Sequence, residues 1–251
     1  MVPLSPSEVP DVLRPWVSRP LSFPAEQGWT STVAFSGDVV LKRCTDPRYR
    51  DWLRREHEVL RTLASTDVRA PRVLGFHDGG AEVWLVMTRL AGDSCSHAIR
   101  RADRPTRERL YSAAGEALRG LHAQPIPTGL HAPEPFLQRR LDAAERHLAW
   151  CVGTPARLAE LRASRPEAVP DRLVHADLNL DNLLVHEGLV TGFIDWAGGS
   201  AGDPRIDVAL ALDVGDEDEA NEACCAAFFE AYGDRPERAA LVWYRALYEY
   251  F

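Results

Sequence analysis

The chain has 251 residues, 45% apolar and 26% charged, a composition that fits a soluble globular protein and excludes a disordered or fibrous one. Its 29 Lys and Arg against 37 Asp and Glu leave a formal charge of -8, the wrong sign for gripping a nucleic-acid backbone, so a cationic or small neutral partner is expected. No stretch approaches the roughly 18 apolar residues of a membrane span, the start carries no signal-peptide pattern, and five irregularly spaced cysteines read as reduced thiols; the expected location is the cytoplasm, without a membrane partner.

In chain order, strands are expected at 21–27, 32–35 and 39–43, the last two joined by the tight-turn sequence Ser36-Gly37-Asp38. Helical periodicity follows over 47–64. Two more strands, 72–76 and 82–89, flank the turn Asp78-Gly79-Gly80. From Thr106 the pattern becomes helical, with Leu110, Ala114, Leu118 and Leu121 on one face, and with further helices at 136–150, 155–164, 204–212, 219–232 and 236–249. The helical part is interrupted by a strand-loop-strand passage over 173–195. This pattern predicts a strand-rich domain over 1–89 and a helical domain over 90–251.

Chemistry concentrates in that passage. Leu173-Val174 leads into His175-Ala176-Asp177, then Asn182, then two β-like runs about Glu187-Gly188 that end at Asp195. If the runs pair as a hairpin, Asp195 lies beside Asn182, giving an amide and a carboxylate oxygen of the kind a hard Mg²⁺ ion takes along with substrate phosphates. Asp177, in the loop feeding that mouth, would accept a proton from a substrate hydroxyl. His175, directly after a buried strand, reads as a support for the loop. The opposing reading is an ordinary Asx-rich loop.

A second feature is independent of the first. In the 47–64 helix, Leu53, Leu60 and Leu63 form an apolar stripe that also contains Glu56, and a carboxylate there is costly unless paired. Lys42, closing the apolar run Val39-Val40-Leu41, is the candidate cation, and a strand Lys paired with a helix Glu is how kinases hold nucleotide phosphates.

With these residues in place, the chain resembles the aminoglycoside phosphotransferases and their antibiotic and small-alcohol kinase relatives over nearly its whole length. Val39 to Lys42 is similar to the family's strand-three lysine, Arg55-Glu56 to its helix glutamate, His175-Ala176-Asp177 through Asn182 to its H-G-D-x-x-x-x-N loop, and Ile194-Asp195 to its second metal ligand. The resemblance implies an α+β, two-lobed protein-kinase-like fold and Mg²⁺-dependent transfer of a phosphate from ATP or GTP to a hydroxyl of a small cationic molecule, foremost an aminoglycoside. It also implies a nucleotide site with Ser31 in its loop and Met87 and Leu90 at its hinge, and Asp207 as a structural brace. Glu217, Asp218, Glu249 and the Phe251 carboxylate are implied as substrate contacts, and a monomer or weak dimer is expected. Departures are Ala176 where the family carries glycine, and the absence of an arginine three residues after Asp195. A kinase for another small alcohol (a macrolide, choline-like or amino-sugar substrate) and a catalytically inactive nucleotide-binding protein are the alternatives. A protein kinase is disfavoured by the short interval from Asp195 to Asp203-Pro204.

Overall fold

The structure, a computed structural model, describes residues 4–24, 27–212 and 219–251, with the side chains of 219–221 left aside. It divides into two compact units, Met1–Ala91 with Gly192–Gly198, and Gly92–Thr191 with Gly199–Phe251. The division expected after residue 89 therefore falls after 91, and a segment from late in the chain joins the first unit. Backbone pairing explains the transfer, since the Phe193 N–H donates to the Arg69 carbonyl at 2.9 Å.

In the first unit, β1 (Thr32–Ser36), β2 (Val39–Cys44), α1 (Arg50–Leu63), β3 (Val73–Asp78) and β4 (Val83–Thr88) build an antiparallel sheet of order β1-β2-β4-β3 beside one helix. Gly37 turns β1 into β2 at φ 64°, a left-handed conformation suited to glycine. Alternation along the strands sorts the two faces. Leu41, Trp84 and Val86 pack with Leu4, Val9 and Leu13 of the N-terminal segment, while Lys42, directly opposite Leu85, lies on the other face, where Glu56 of α1 meets it. The expected strand at 21–27 is a correction. Among its described residues only the bridge Ser22 to Phe35 forms, between Pro20 and Pro24, which have no N–H to extend a ladder.

In the second unit the elements are β5 (Asp93–Ser94), α2 (Cys95–Arg101), α3 (Arg104–His122), α4 (Phe136–His147), α5 (Pro155–Ala163), β6 (Arg172–Val174), β7 (Leu183–His186), β8 (Leu189–Phe193, whose last two residues count with the first unit), β9 (Ser200–Gly202), α6 (Arg205–Ala211), α7 (Glu219–Tyr232) and α8 (Arg238–Tyr248). Two small sheets, β5-β7-β8 and β6-β9, carry the loops between helices. Asp103 caps α3 through the Thr106 N–H at 3.0 Å, worth about 1 kcal/mol. The periodic residues Leu110, Ala114, Leu118 and Leu121 are all buried. α3 runs close to α7, because a Cβ on Gly115 would stand 2.3 Å from the Phe228 carbonyl oxygen. β7 and β8 turn through Glu187 (φ 51°) and Gly188 (φ 79°), the positive pair of a type I′ hairpin. α2, with Cys95 its one buried residue, offers no apolar stripe and so leaves no periodic signal.

Candidate active site

The first unit holds a buried ionic cluster. Lys42 Nζ donates to Glu56 Oε1 at 2.6 Å and Oε2 at 2.8 Å, with the two side chains only 8% and 5% exposed. Lys42 also donates to Asp195 Oδ1. Burial alone would lower the lysine's pKa, but the negative charges of Asp195 and Glu56 outweigh it and hold the ammonium above its ordinary value. Burial pushes the Glu56 carboxyl up, against the pull of Lys42. The carboxylate on an apolar stripe is thus paired, as its cost demands.

Asp195 sits in a segment locked to this unit. Trp196 is fully buried and donates its Nε1 to the Phe193 carbonyl at 2.9 Å, and its backbone N–H reaches Glu56. A Cβ on Gly192 would lie 2.4 Å from the Arg69 oxygen, so a side chain does not fit there. Asp195 itself takes φ 65°. Upstream, Ser31 is buried at the end of the Gly28–Ser31 loop, whose base is closed by Gln27: its Nε2 donates to the Val33 carbonyl at 3.0 Å and its Oε1 accepts the Val33 N–H at 2.8 Å. Met87 is buried in β4 and Leu90 is half-buried beyond it, with the Arg89 N–H tied to the Asp38 carbonyl at 2.8 Å. Lys42, Glu56, Ser31, Met87, Leu90 and Asp195 therefore share the first unit.

The second unit holds the loop that follows β6. Asp207, fully buried at the start of α6, accepts the His175 N–H at 2.8 Å and the Ala176 N–H at 2.7 Å. His122 Nε2 lies 3.1 Å from the same carboxylate, and the Tyr232 hydroxyl lies 2.8 Å from His122 Nδ1. His175 is itself fully buried. Ala176 adopts φ 60°, so the position where the sequence departs from glycine is one where glycine is free and alanine is strained. Past it, Asn182 Nδ2 donates to the Asp177 carbonyl at 2.7 Å, and Asn179 Oδ1 accepts the N–H groups of Asp181 and Asn182 at 3.0 and 3.2 Å. The loop is Asx-rich, as the opposing reading held, and it is also braced from behind by Asp207. Asp181 bonds Ser94 Oγ at 3.2 Å.

Two residues not singled out from the sequence stand beside Asp177. The phenol of Tyr248 donates to Asp177 Oδ1. Arg140 has a buried Nε and Nη2 without a hydrogen-bond partner, and its guanidinium carbon lies 3.5 Å from the centroid of the Phe251 ring. Burial lowers its pKa to about 10, against the opposing charges of the Asp177 and Asp207 carboxylates. A signal for Arg140 existed, because it falls between the buried Phe136 and Ala144 at four-residue steps on α4, as Glu56 falls on the stripe of α1.

Of the residues implied as substrate contacts, Glu249 is exposed, while the Phe251 ring packs between Arg140 and His147. Glu217 and Asp218 lie outside the described residues. None of the five cysteines is in a disulfide.

Among the described residues no group of three or more His, Cys, Asp or Glu could hold a metal. Of the two residues expected to bind metal, Asn182 lies in the second unit and Asp195 in the first, and each offers one hard oxygen donor. Asn182 spends its Nδ2 on the Asp177 carbonyl, leaving its amide oxygen as the acceptor, and the Asp195 side chain is 45% exposed. Hard oxygens of this kind fit Mg²⁺ that keeps phosphate and water as its other ligands.

Residues 24–244 match the sequence pattern of the phosphotransferase enzyme family. The chain is 26% identical over 217 residues to the aminoglycoside 3'-phosphotransferase of Niallia circulans, a match covering 80% of each chain. Its fold superposes on the crystal structure of aminoglycoside-3'-phosphotransferase of type VIII with a TM-score of 0.78 at 26% identity, covering 96% of this chain and 98% of that one. It also superposes on aminoglycoside phosphotransferase APH(3'')-Id from Streptomyces rimosus, solved with ADP and streptomycin, with a TM-score of 0.69 at 21% identity, covering 88% and 89%. A braced loop of the H-x-D-x-x-x-x-N kind, a buried strand-lysine to helix-glutamate pair and a match over most of the sequence agree: the chain belongs to the phosphotransferase enzyme family, with its kinase-like fold.

Proposed function

We propose that the protein transfers the γ-phosphate of ATP or GTP to a hydroxyl of a small cationic molecule, with an aminoglycoside as the substrate class. The observation that carries the reading is the brace of Asp207 on the backbone of His175 and Ala176, which fixes the main chain just before a half-buried Asp177. Asp177 would accept the proton of the attacking hydroxyl as that oxygen bonds to the γ-phosphorus and the bond to the β,γ-bridging oxygen breaks. Lys42, oriented by Glu56, would hold the α- and β-phosphates, with Ser31 in the loop above and Met87 and Leu90 against the base. Asn182 and Asp195 would hold Mg²⁺, which when bound with the nucleotide neutralises charge on the transferring phosphate.

The aminoglycoside assignment is supported by the names of the relatives and by the acidic balance of the chain, with Glu217, Asp218 and Glu249 as the carboxylates that would meet ammonium ions and Phe251 as a further substrate contact. Purified protein incubated with Mg²⁺ and each nucleotide, against a panel of aminoglycosides and uncharged alcohols, tests the reading by mass spectrometry of the product. A phosphorylated aminoglycoside supports it. Turnover of uncharged alcohols alone refutes the substrate class, and no turnover of any acceptor refutes the phosphotransfer.

A further inference from the structure

Asp177 is fixed in stages. Its neighbours His175 and Ala176 are held through their N–H groups by Asp207, and its own carbonyl by Asn182 Nδ2 at 2.7 Å and the Asn179 N–H at 3.0 Å. The main chain is therefore set on both sides of the residue, and what is left to fix is the rotation of the carboxylate. Asn182 Nδ2 stands 3.4 Å from Asp177 Oδ2, at the long limit of a hydrogen bond. Tyr248, from the last turn of α8, closes on the other oxygen, Oδ1.

The phenol comes from an anchored end. Beyond Tyr248, the Tyr250 ring is fully buried, its hydroxyl donates to the Thr154 carbonyl at 2.8 Å, and its own carbonyl accepts from His147 Nδ1 at 2.8 Å. A Cβ on Gly153 would lie 2.3 Å from that ring, so the 151–154 turn closes tightly on it. Phe251 is covered by Arg140. Four contacts from two elements thus hold residues 250 and 251, and they leave Tyr248 little freedom. Burial first, and then the Asp177 charge, raise the pKa of the phenol above its ordinary value, so it remains a proton donor toward the carboxylate at neutral pH.

We propose that Tyr248 is a positioning residue for phosphoryl transfer: its hydroxyl holds Asp177 Oδ1, so that Oδ2 is the oxygen presented to the acceptor hydroxyl. This rests on the reading of Asp177 as the proton acceptor. A carboxylate free to rotate would be misaligned for part of the time, which slows the chemical step without weakening the binding of either substrate.

The test is Tyr248→Phe, which keeps the ring and removes one oxygen. The expected result is a fall in kcat of about 10-fold, with KM for the acceptor and for Mg-nucleotide within about 2-fold of wild type. In a thermal-melt cycle, the stability cost of Tyr248→Phe should disappear in an Asp177→Ala background, showing the contact independently of turnover. Tyr250→Phe, which loosens the anchor through Thr154, should lower kcat in the same direction by a smaller factor, and it serves if Tyr248→Phe does not fold. Unchanged kcat in both variants overturns the proposal. A lowered acceptor KM in Tyr248→Phe also overturns it, because Tyr248 would then be a competitor for the base. A wild-type enzyme inactive on every acceptor overturns the phosphotransferase reading and this one with it, whereas an active wild type with an unaffected variant overturns this one alone.

Discussion

Asp207→Ala is the perturbation with the largest consequence in the second unit. The carboxylate accepts two backbone N–H groups, from His175 and Ala176, and meets His122 at 3.1 Å, all in the protein interior. Hydrogen bonds to a charged group contribute about 1.5–3 kcal/mol each, and a buried donor stripped of its partner costs about 1–3 kcal/mol. Relaxation and water entry recover part of this, which leaves a loss of about 3–6 kcal/mol from a total stability of about 5–15 kcal/mol. At about 2–4 °C per kcal/mol for a chain of this length, the melting midpoint should fall by about 6–24 °C. Calorimetry reads that directly, and kcat should drop by about 100-fold in the protein that remains folded, because Ala176 then has nothing to hold it at φ 60°. A midpoint within about 2 °C of wild type would refute the view that Asp207 carries the loop.

Asp177→Asn should lower kcat by about 100-fold or more while Mg-nucleotide affinity, measured by calorimetric titration, stays near wild type. Lys42→Met alone strands the buried Glu56 and should cost about 3–5 kcal/mol in denaturant unfolding, whereas adding Glu56→Leu should restore most of it, since the double variant buries no unpaired charge. Asp78 is held down to about 2, first by the side-chain hydrogen bonds of Arg54 and then by the Gly80 N–H. Its folded pKa lies below its unfolded value, so its contribution to stability is present above about pH 4 and is lost as pH falls toward 2. Arg54→Ala should bring the Asp78 titration back toward an ordinary carboxylate in an NMR pH series.

Much of the fold was legible because periodicity and turn chemistry speak plainly where an element is long and one-sided. The α3 stripe and the Ser36-Gly37-Asp38 turn stand as expected. Lys42 and Glu56 were readable for a sharper reason: a carboxylate among leucines demands a partner, and one lysine ends an apolar strand. The same logic, applied to Arg140 between Phe136 and Ala144, would have found a second ion on a core-facing row, half-buried with its Nε and Nη2 out of solvent, but the neighbouring Arg139 makes the pair look like an ordinary solvated face. Tyr248 was hidden differently. An aromatic stripe on a terminal helix packs a core whether or not its hydroxyl has work to do, and only the fold shows which acceptor the oxygen meets. The 21–27 segment went wrong because β-favouring residues outweighed the two prolines that limit pairing to one bridge. The placement of 192–198 depends on a backbone bond to Arg69, for which residue types carry no mark.

That placement also governs how the gene can be cut. The polypeptide passes between the units at 91/92, 191/192 and 198/199, so no single truncation yields either one whole. A fragment ending at residue 91 would lack Trp196, a fully buried side chain whose segment lies against α1, and would leave an apolar strip of that helix open to self-association. It would also leave Lys42 with Glu56 but without Asp195. The complementary fragment would carry seven orphaned residues in its middle. The two halves are accordingly obligate products of one continuous reading frame, and domain exchange with a related enzyme requires moving the 192–198 segment along with the first unit as a discontinuous graft.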